Sequence, residues 1–280
     1  MPVLHDIGTL VTGRMPHGPG QLDLARDAAI AWQGDRITWV GPAGEIPAVF
    51  AREERHSAGG GLVIPGLVDC HTHLAFGGWR ADEFEARIRG ESYLEIAARG
   101  GGIRSTVRQT RAATREQLRQ RCRAHLTGMA RLGVTTIEAK SGYGLSLEHE
   151  LALLELYREL GEAGAQRIVA TLLAAHVVPP EYQDRRADYL ELVTKQLIPQ
   201  AGARALAQFC DVFVEEGAFS IAEARRILVA GQAHGLIPKL HADQLTSGGG
   251  AELGAEVGAA SADHLECISE AGIRQMAAAG

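Results

Sequence analysis

Two histidines separated by a single residue, His71 and His73, lie at the end of an apolar segment that starts at Val63. Side chains alternate between the two faces of a β-strand, so both imidazoles are expected on one face. Neutral imidazole nitrogens bind zinc and similar ions, and a metal site that keeps a water molecule can activate it for hydrolysis. The pair predicts a metal-dependent hydrolase, although two polar residues at a strand end are an equally simple interpretation of the pair alone.

Other polar residues follow the ends of other predicted strands. They are Lys140 with Ser141-Gly142-Tyr143-Gly144, His176, Glu215, His241 with Asp243 and Gln244, and Asp263 with His264. In a barrel of parallel strands these ends converge on one mouth, so the residues are expected to be neighbours. This position favours a ligand role for His241. For His264 a buried histidine bonded to a backbone carbonyl stays an alternative, and Lys140, Glu215 and Glu216 are expected to have structural roles.

Short apolar runs alternate with amphipathic stretches from residue 64 onwards. The predicted strands are 63–70, 134–139, 167–175, 209–215, 237–242 and 260–265, and the predicted helices are 114–132, 146–163, 185–201, 220–234, 248–257 and 269–279. Strands that are apolar on both faces and alternate with helices are typical of a parallel sheet or barrel. A (β/α)8 barrel usually needs about 250 residues. The predicted fold class is therefore α/β, with an incomplete barrel of about six β/α units.

The amino-terminal part has a different texture. Residues 28–32 and 37–41 are apolar and flank the turn 33–36, which predicts a hairpin in a small sheet. The segment around Gly100–Ser105 is expected to form a long insertion after the first barrel strand, where such folds carry substrate loops. The histidines outside the strand ends are expected at the surface: His5, His17, His56, His125, His149 and His234.

Composition narrows the class of function. The chain has 280 residues, 46% of them hydrophobic, and a formal net charge of −6 with acidic and basic residues intermixed. A basic stripe for nucleic acid or a polybasic membrane patch is not present in the sequence, which favours chemistry on a small molecule. Four widely spaced cysteines and the lack of an apolar signal segment indicate free thiols in a reducing cytoplasm. No apolar stretch reaches the roughly 18 residues of a membrane helix.

Five motifs resemble a known family. The run Ile64-Pro65-Gly66-Leu67-Val68-Asp69-Cys70-His71-Thr72-His73 resembles the amidohydrolase superfamily. Within it, residues 76–84, 140–145, 175–179 and 239–244 are similar to the imidazolonepropionase family. The resemblance implies a (β/α)8 barrel, here residues 63–280, flanked by a small β-sandwich to which residues 1–62 contribute. It also implies one zinc or iron ion and hydrolysis of the ring amide of 4-imidazolone-5-propanoate to N-formimidoyl-L-glutamate in histidine degradation.

The resemblance also implies individual roles. His71, His73 and His241 would bind the metal, Arg80, Tyr143, His176 and Gln244 would bind the substrate, and His264 would be catalytic. Arg80 can hold the propanoate carboxylate with two parallel hydrogen bonds. Tyr143 and His176 are expected to donate to ring or product oxygens, and His264 to polarise the attacked carbonyl or to move a proton. A homodimer is expected for the complete protein.

The chain also departs from the family pattern. The family uses an aspartate at the end of the eighth strand as metal ligand and proton acceptor, and no residue here is assigned that role, since Asp243 and Asp263 lie on other strands. Gln244 stands where some relatives have a glutamate, and an amide cannot act as a base. We expect a chain that lacks roughly the last third of the family's length, with an open barrel, weak metal affinity and little turnover.

Two alternatives stay open. One is a related metal-dependent deaminase or cyclic amidohydrolase that acts on another heterocycle, against which Arg80 and Tyr143 argue because a purine or pyrimidine lacks the carboxylate tail. The other is a non-catalytic fragment that serves as a binding or assembly module.

Overall fold

The computed structural model describes residues 1–14, 21–92, 95–96 and 100–280. Within it the chain forms two compact units, Met1–Leu67 and Val68–Gly280. His17, which was predicted at the surface, lies outside the described residues.

The first unit is a five-stranded sheet. Its strands are β1 (Val3–Val11), β2 (Leu24–Gln33), β3 (Arg36–Pro42), β4 (Arg55–Ser57) and β5 (Leu62–Val63). β1 and β3 run antiparallel to β2, whereas β4 and β5 run parallel to β1. The predicted hairpin is confirmed as the β2–β3 pair, in which Gln33 faces Arg36 and Gly34 adopts the left-handed backbone of the turn. The apolar pattern did not predict β1.

The second unit contains a six-stranded parallel sheet whose spatial order follows the chain. Its strands are β6 (Leu67–Thr72), β7 (Val134–Lys140), β8 (Arg167–Ala175), β9 (Phe209–Val214), β10 (Ile237–Ala242) and β11 (Ser261–His264). The sheet is nearly closed, and β6 and β11 end the series of paired strands in the part of the chain that the structure describes. The predicted α/β class with about six β/α units is confirmed.

Helices cover this sheet. They are α1 (Ala81–Ile88), α2 (Ile103–Ala112), α3 (Arg115–Arg131), α4 (Leu147–Ala163), α5 (Arg186–Leu192), α6 (Ile198–Ala203), α7 (Ile221–Ala233), α8 (Gly250–Val257) and α9 (Glu270–Ala279). Thr114 begins α3 and Ser220 begins α7, each through a reciprocal capping box. The predicted helix 185–201 is interrupted by a π-helical segment, Val193–Leu197. It precedes Pro199, whose missing N–H breaks the regular pattern of backbone bonds.

In the described residues of the segment predicted as a long insertion, the chain forms helices α1 and α2, which the pattern did not predict. The large core of this unit consists of apolar side chains between sheet and helices, such as Leu154, Ile227 and Leu240. Charged residues are also fully buried inside the sheet, among them Lys140 and Asp211. Among the described residues, no helix has the length and apolar character that a membrane crossing requires.

Candidate metal centre

Five imidazole rings and one phenol ring lie together at the carboxyl ends of the barrel strands. His71 is in β6, His73 directly follows it, Tyr143 and His176 follow β7 and β8, and His241 and His264 belong to β10 and β11. Ring centroids are 4.6 Å apart for His71 and His241, 5.0 Å for His73 and His176, and 5.0 Å for His73 and Tyr143. The structure thus brings together six predicted site residues from five strands.

His264 reaches this cluster through an unusual backbone. Its neighbour Asp263 faces the cluster, so strict alternation along β11 would turn His264 away. His264 and Leu265 instead have left-handed φ angles of 80° and 71°. Such a conformation is strained by about 1–3 kcal/mol in a non-glycine residue. It places the His264 ring 5.1 Å from that of His71 and 5.2 Å from that of His241.

The histidines suit a metal ion. Nitrogen atoms of His71, His241 and His264 lie within 4.8 Å of one another. The buried atoms His73 Nδ1 and His241 Nε2 have no hydrogen-bond partner among the described residues, which would be costly unless another group bound them. Burial, together with the nearby His176 and His241, holds the pKa of His73 well below its usual value. His73 is therefore in the neutral form that binds metals.

The three histidines whose nitrogens lie close together and the three predicted metal ligands have His71 and His241 in common. They differ in the third residue. Proximity selects His264 as the third histidine, whereas the sequence resemblance selects His73. The unpaired Nδ1 of His73 fits a ligand role as well. The set His71, His73 and His241 stays a prediction.

Two carboxylates fix the orientation of the shared histidines. Asp211 Oδ2 lies 3.0 Å from His241 Nδ1, and Asp263 Oδ2 lies 2.8 Å from His71 Nδ1. A carboxylate can only accept, so Nδ1 of each histidine donates this bond, and Nε2 is the nitrogen left to face a metal ion. Carboxylate–histidine pairs of this kind orient and strengthen metal ligands.

A buried ion network supports both carboxylates. Lys140 Nζ donates to Asp211, Glu138 and Asp263 over 2.7, 3.0 and 3.0 Å, and Lys239 Nζ donates to Glu138 over 2.7 Å. Burial alone would lower the pKa of Lys140, but the charges of Asp211, Glu138 and Asp263 raise it above its usual value. Burial would raise the pKa of Asp211, yet His241 and Lys140 hold it well below the ordinary range. Both groups are therefore charged.

The network agrees with the structural role expected for Lys140. Glu138, Asp211 and Lys239 were not predicted from the sequence, and all three lie inside strands. A signal for two of them was present, because Glu138 and Lys239 stand two residues before Lys140 and His241 and share their faces.

A cavity adjoins the histidines. It has a volume of about 480 Å³, and its lining includes His73, Tyr143, Arg80, Trp79 and Phe84. Arg80 Nη1 lies 3.9 Å from Glu83 Oε2. The side chain is 40% exposed, so the guanidinium can also reach an anion bound in the cavity. An apolar cavity with one guanidinium suits a small organic acid.

Gln244 is not among the residues that line this cavity. It is half-buried in the loop after β10, where its backbone carbonyl oxygen accepts a bond from Cys267 Sγ. Its contact with the substrate stays a prediction.

His176 is bonded to a backbone carbonyl group. Its Nδ1 lies 3.0 Å from the carbonyl oxygen of Gly142, which can only accept, so Nδ1 carries the proton. Burial and the nearby His241 lower the pKa of His176 to about 3. The ring is therefore neutral, and its Nε2 is available to accept a hydrogen bond. The sequence does not show the partner of Nδ1, so it could not predict which ring nitrogen of His176 carries the proton. Substrate binding by His176 stays a prediction.

Two further carboxylates at the strand ends organise loops. Asp243 accepts bonds from the backbone N–H groups at the start of α8, including those of Gly248 and Ala251. Glu215 accepts bonds from Leu245 and Thr246 in the loop after β10. Both residues therefore hold loops in place, which is the structural role expected for Glu215. Asp243 was not predicted as a metal ligand.

Solved structures share this architecture. Ochratoxinase from A. niger superposes with a TM-score of 0.60 at 17% identity, and the alignment covers 100% of this chain and 63% of that chain. The 5-methylcytosine deaminase from Klebsiella pneumoniae gives a TM-score of 0.62 at 15% identity, with 99% and 64% covered. These likenesses establish the fold. The second unit shares its barrel architecture with these two proteins.

Proteins with similar sequences indicate which enzymes this chain resembles, although no protein-family model matches the chain. Imidazolonepropionase from Cupriavidus pinatubonensis is 49% identical over 255 residues, which are 91% of this chain and 60% of the relative. Imidazolonepropionase from Myxococcus xanthus is 50% identical over 252 residues, or 89% and 60%. That from Anaeromyxobacter dehalogenans is 47% identical over 272 residues, or 96% and 65%.

This chain is therefore similar to curated imidazolonepropionases over 89–96% of its own length. The chain spans about 60–65% of the length of these three curated relatives.

Proposed function

We propose that this chain supplies the metal- and substrate-binding part of an imidazolonepropionase. The reaction is hydrolysis of the ring amide of 4-imidazolone-5-propanoate to N-formimidoyl-L-glutamate in histidine degradation. The observation that carries the proposal is the convergence of His71, His73 and His241 beside a cavity that Arg80 lines. The names of the curated relatives support the same reaction.

We assign one metal ion to His71, His73 and His241. Imidazole ligands suit both zinc and iron, so either ion fits these residues. When bound, such an ion supplies Lewis acidity, which polarises a carbonyl group and lowers the pKa of a water molecule. Asp211 and Asp263 keep His241 and His71 in the tautomer that offers Nε2.

The substrate's polar groups match four side chains. Arg80 binds the propanoate carboxylate, and the Tyr143 hydroxyl, at the same cavity, donates to an oxygen of the substrate. His176 Nε2 accepts a bond from an N–H of the ring, in keeping with its tautomer. Gln244 completes this set as a substrate contact.

His264 serves as the catalytic group. Burial and the nearby His241 lower its pKa, so the ring is neutral at pH 7 and can take a proton. In the reaction a water oxygen bonds to the ring carbonyl carbon, the carbon–nitrogen bond breaks, and the released nitrogen receives a proton. His264 lies beside His71 and His241, where it can move this proton or polarise the carbonyl.

The proposal also covers organisation and location. Residues 1–62 belong to a β-sandwich domain and residues 63–280 to the barrel. The complete protein works as a cytoplasmic homodimer on a small molecule, without nucleic-acid or membrane partners. Light scattering coupled to size-exclusion chromatography measures the oligomeric state, and a monomeric mass would contradict the dimer.

Two proteins test the activity: the 280-residue chain, and the same chain joined to the remaining carboxyl-terminal part of the Cupriavidus pinatubonensis relative. After zinc or iron loading, the chimera is expected to convert 4-imidazolone-5-propanoate to N-formimidoyl-L-glutamate, measured by mass spectrometry. Arg80→Ala in the chimera should lower kcat/KM by roughly 10–100-fold, mainly through KM, because a charge-assisted bond is lost. The control Arg87→Ala, in the last turn of α1, should change kcat/KM little.

A folded, metal-loaded chimera that leaves the imidazolone untouched would refute the proposal. Deamination of guanine or cytosine by the same protein would favour the deaminase alternative.

A further inference from the structure

A buried carboxylate binds the loop that follows β7. Glu150, in the first turn of α4, is fully buried. Its oxygens accept bonds from the backbone N–H groups of Gly142 at 3.1 Å, Gly144 at 2.7 Å and Leu145 at 2.8 Å. Gly142 and Leu145 have left-handed φ angles of 99° and 49°. These bonds from one carboxylate therefore hold a backbone shape that the loop would not adopt readily by itself.

A guanidinium binds the same loop through its carbonyl oxygens. Arg111, in the last turn of α2, donates from Nε to the oxygen of Gly144 at 2.6 Å. Its Nη2 donates to the oxygen of Leu145 at 2.9 Å, and its Nη1 to Glu181 at 2.7 Å. Glu150 and Arg111 thus bind opposite polar groups of one short segment, and the two helices α4 and α2 fix its position.

The loop carries two features of the candidate site. Tyr143 is 8% exposed, and its ring lies 5.0 Å from that of His73 and 5.3 Å from that of His176. The carbonyl oxygen of Gly142 accepts the bond from His176 Nδ1. A rotation of this loop would therefore displace the Tyr143 hydroxyl. It would also break the hydrogen bond to Gly142 that keeps the proton of His176 on Nδ1.

Close packing makes the loop sensitive to small shifts. A Cβ atom added to Gly142 would lie 2.9 Å from the oxygen of Leu173 and 3.0 Å from His176 Nδ1. One added to Gly144 would lie 2.7 Å from the nitrogen of Glu150. The loop therefore has little freedom to move without moving His176 or Glu150.

We propose that Glu150 and Arg111 are positioning residues for substrate binding, which act by holding the loop 141–145 so that Tyr143 faces the cavity and His176 presents Nε2 as an acceptor. The ligand they favour is a small heterocycle that offers a ring N–H to His176 and an oxygen to Tyr143. This inference rests on the proposed function for the identity of the ligand, but the effect on His176 does not depend on it.

The first test measures the tautomer of His176 by ¹⁵N NMR of the metal-free 280-residue chain labelled at histidine. In the wild type the protonated nitrogen is expected to be Nδ1. Glu150→Gln places an amide NH2 against backbone N–H groups and is expected to give a mixture of both tautomers. Arg111→Met, which changes a partly exposed side chain, tests the same loop if the Glu150 variant does not fold. The matched controls Glu148→Gln and Arg108→Met should leave the wild-type signal.

The second test measures binding of 3-(imidazol-4-yl)propanoate, a stable probe with the ring and carboxylate of the proposed substrate. Titration calorimetry on the zinc-loaded chain should show a dissociation constant at least tenfold higher for Glu150→Gln and Arg111→Met than for the controls. Zinc affinity itself should change less than threefold, because neither residue touches the proposed ligands.

The outcomes separate the two proposals. If both variants fold and keep the wild-type His176 tautomer and probe affinity, the positioning role is wrong. If the wild type does not bind the probe but both variants change the tautomer, the positioning role holds and the substrate assignment fails.

Discussion

The inner and outer strands of the barrel sheet support the candidate site in different ways. Lys140, Asp211 and His241 come from strands with a neighbour on each side, and their side chains are at most 4% exposed. His71 and Asp263 come from the outer strands β6 and β11, and their side chains are 29% and 16% exposed. The hydrogen bond between these two residues joins the two ends of the paired series. Burial between neighbouring strands fixes the side chains of Lys140, Asp211 and His241. On the outer strands, the hydrogen bond between His71 and Asp263 fixes these two side chains.

The largest expected effect is at the centre of the inner strands. Lys140→Met removes the cation that pairs with Glu138, Asp211 and Asp263, and it leaves three buried or half-buried carboxylates close together. Breaking a buried pair in this way should lower the free energy of unfolding by about 3–5 kcal/mol. Urea denaturation measures the change. The control Lys195→Met, at a side chain that is 69% exposed, should stay within about 0.5 kcal/mol. Equal effects of the two substitutions would contradict the stabilising role of the buried Lys140 ion network.

The next effect is on metal affinity. Asp211→Asn removes the charge that orients His241, and the loss of such a partner usually lowers metal affinity by about 10–100-fold. Competition with a zinc chelator gives the dissociation constant. The exposed Asp188→Asn serves as control. A wild-type zinc affinity in Asp211→Asn would show that this carboxylate does not support the ligand.

The third prediction concerns pH. His176 has a pKa of about 3 in the folded protein and a usual value near 6.5. As pH falls below about 6.5 the unfolded chain binds a proton that the folded chain does not, so stability falls with pH. For one such histidine the loss between pH 6.5 and 5.5 is about 1 kcal/mol. Urea denaturation of the metal-free protein across this range, with His176→Gln for comparison, should show a shallower slope in the variant. Identical slopes would mean that His176 is not held neutral.

The smallest effect is expected at the outer strands. Asp263→Asn keeps an oxygen that can accept from His71, and its surroundings are partly open to solvent. Zinc affinity should fall less than about tenfold, which is less than for Asp211→Asn. A larger loss in Asp263→Asn than in Asp211→Asn would reverse the proposed difference between the two sets of strands.

The sequence predicted the parts of this molecule that follow a simple period. Six strands with alternating helices are recognisable because short apolar runs alternate with amphipathic stretches. The site histidines are recognisable because they lie at or directly after strand ends. The position of His264 was predicted, but the left-handed backbone that turns it into the cluster was not. Such a conformation depends on the surrounding packing and leaves no periodic trace in the sequence.

The supporting groups were harder to predict. Glu138, Asp211 and Lys239 are charged residues inside strands, and their roles depend on partners that are distant in sequence. Asp211 lies 71 residues from its partner Lys140, and Lys239 lies 101 residues from its partner Glu138. Helices α1 and α2 were missed because a glycine-rich stretch between them was interpreted as a loop. The tautomer of His176 depends on one carbonyl oxygen in another loop, a contact that only the fold reveals.

The central claim is that the strand ends form a metal centre. Its most direct test is zinc binding by the unsubstituted 280-residue chain and by three single variants. One zinc ion per chain is expected for the wild type, with affinity at least tenfold lower in His241→Ala and in His73→Ala, and unchanged in the exposed control His234→Ala. Metal analysis after dialysis gives the stoichiometry, and chelator competition gives the affinity. Wild-type affinity in a folded His241→Ala variant would contradict the account, because the strand ends would then not form the metal centre.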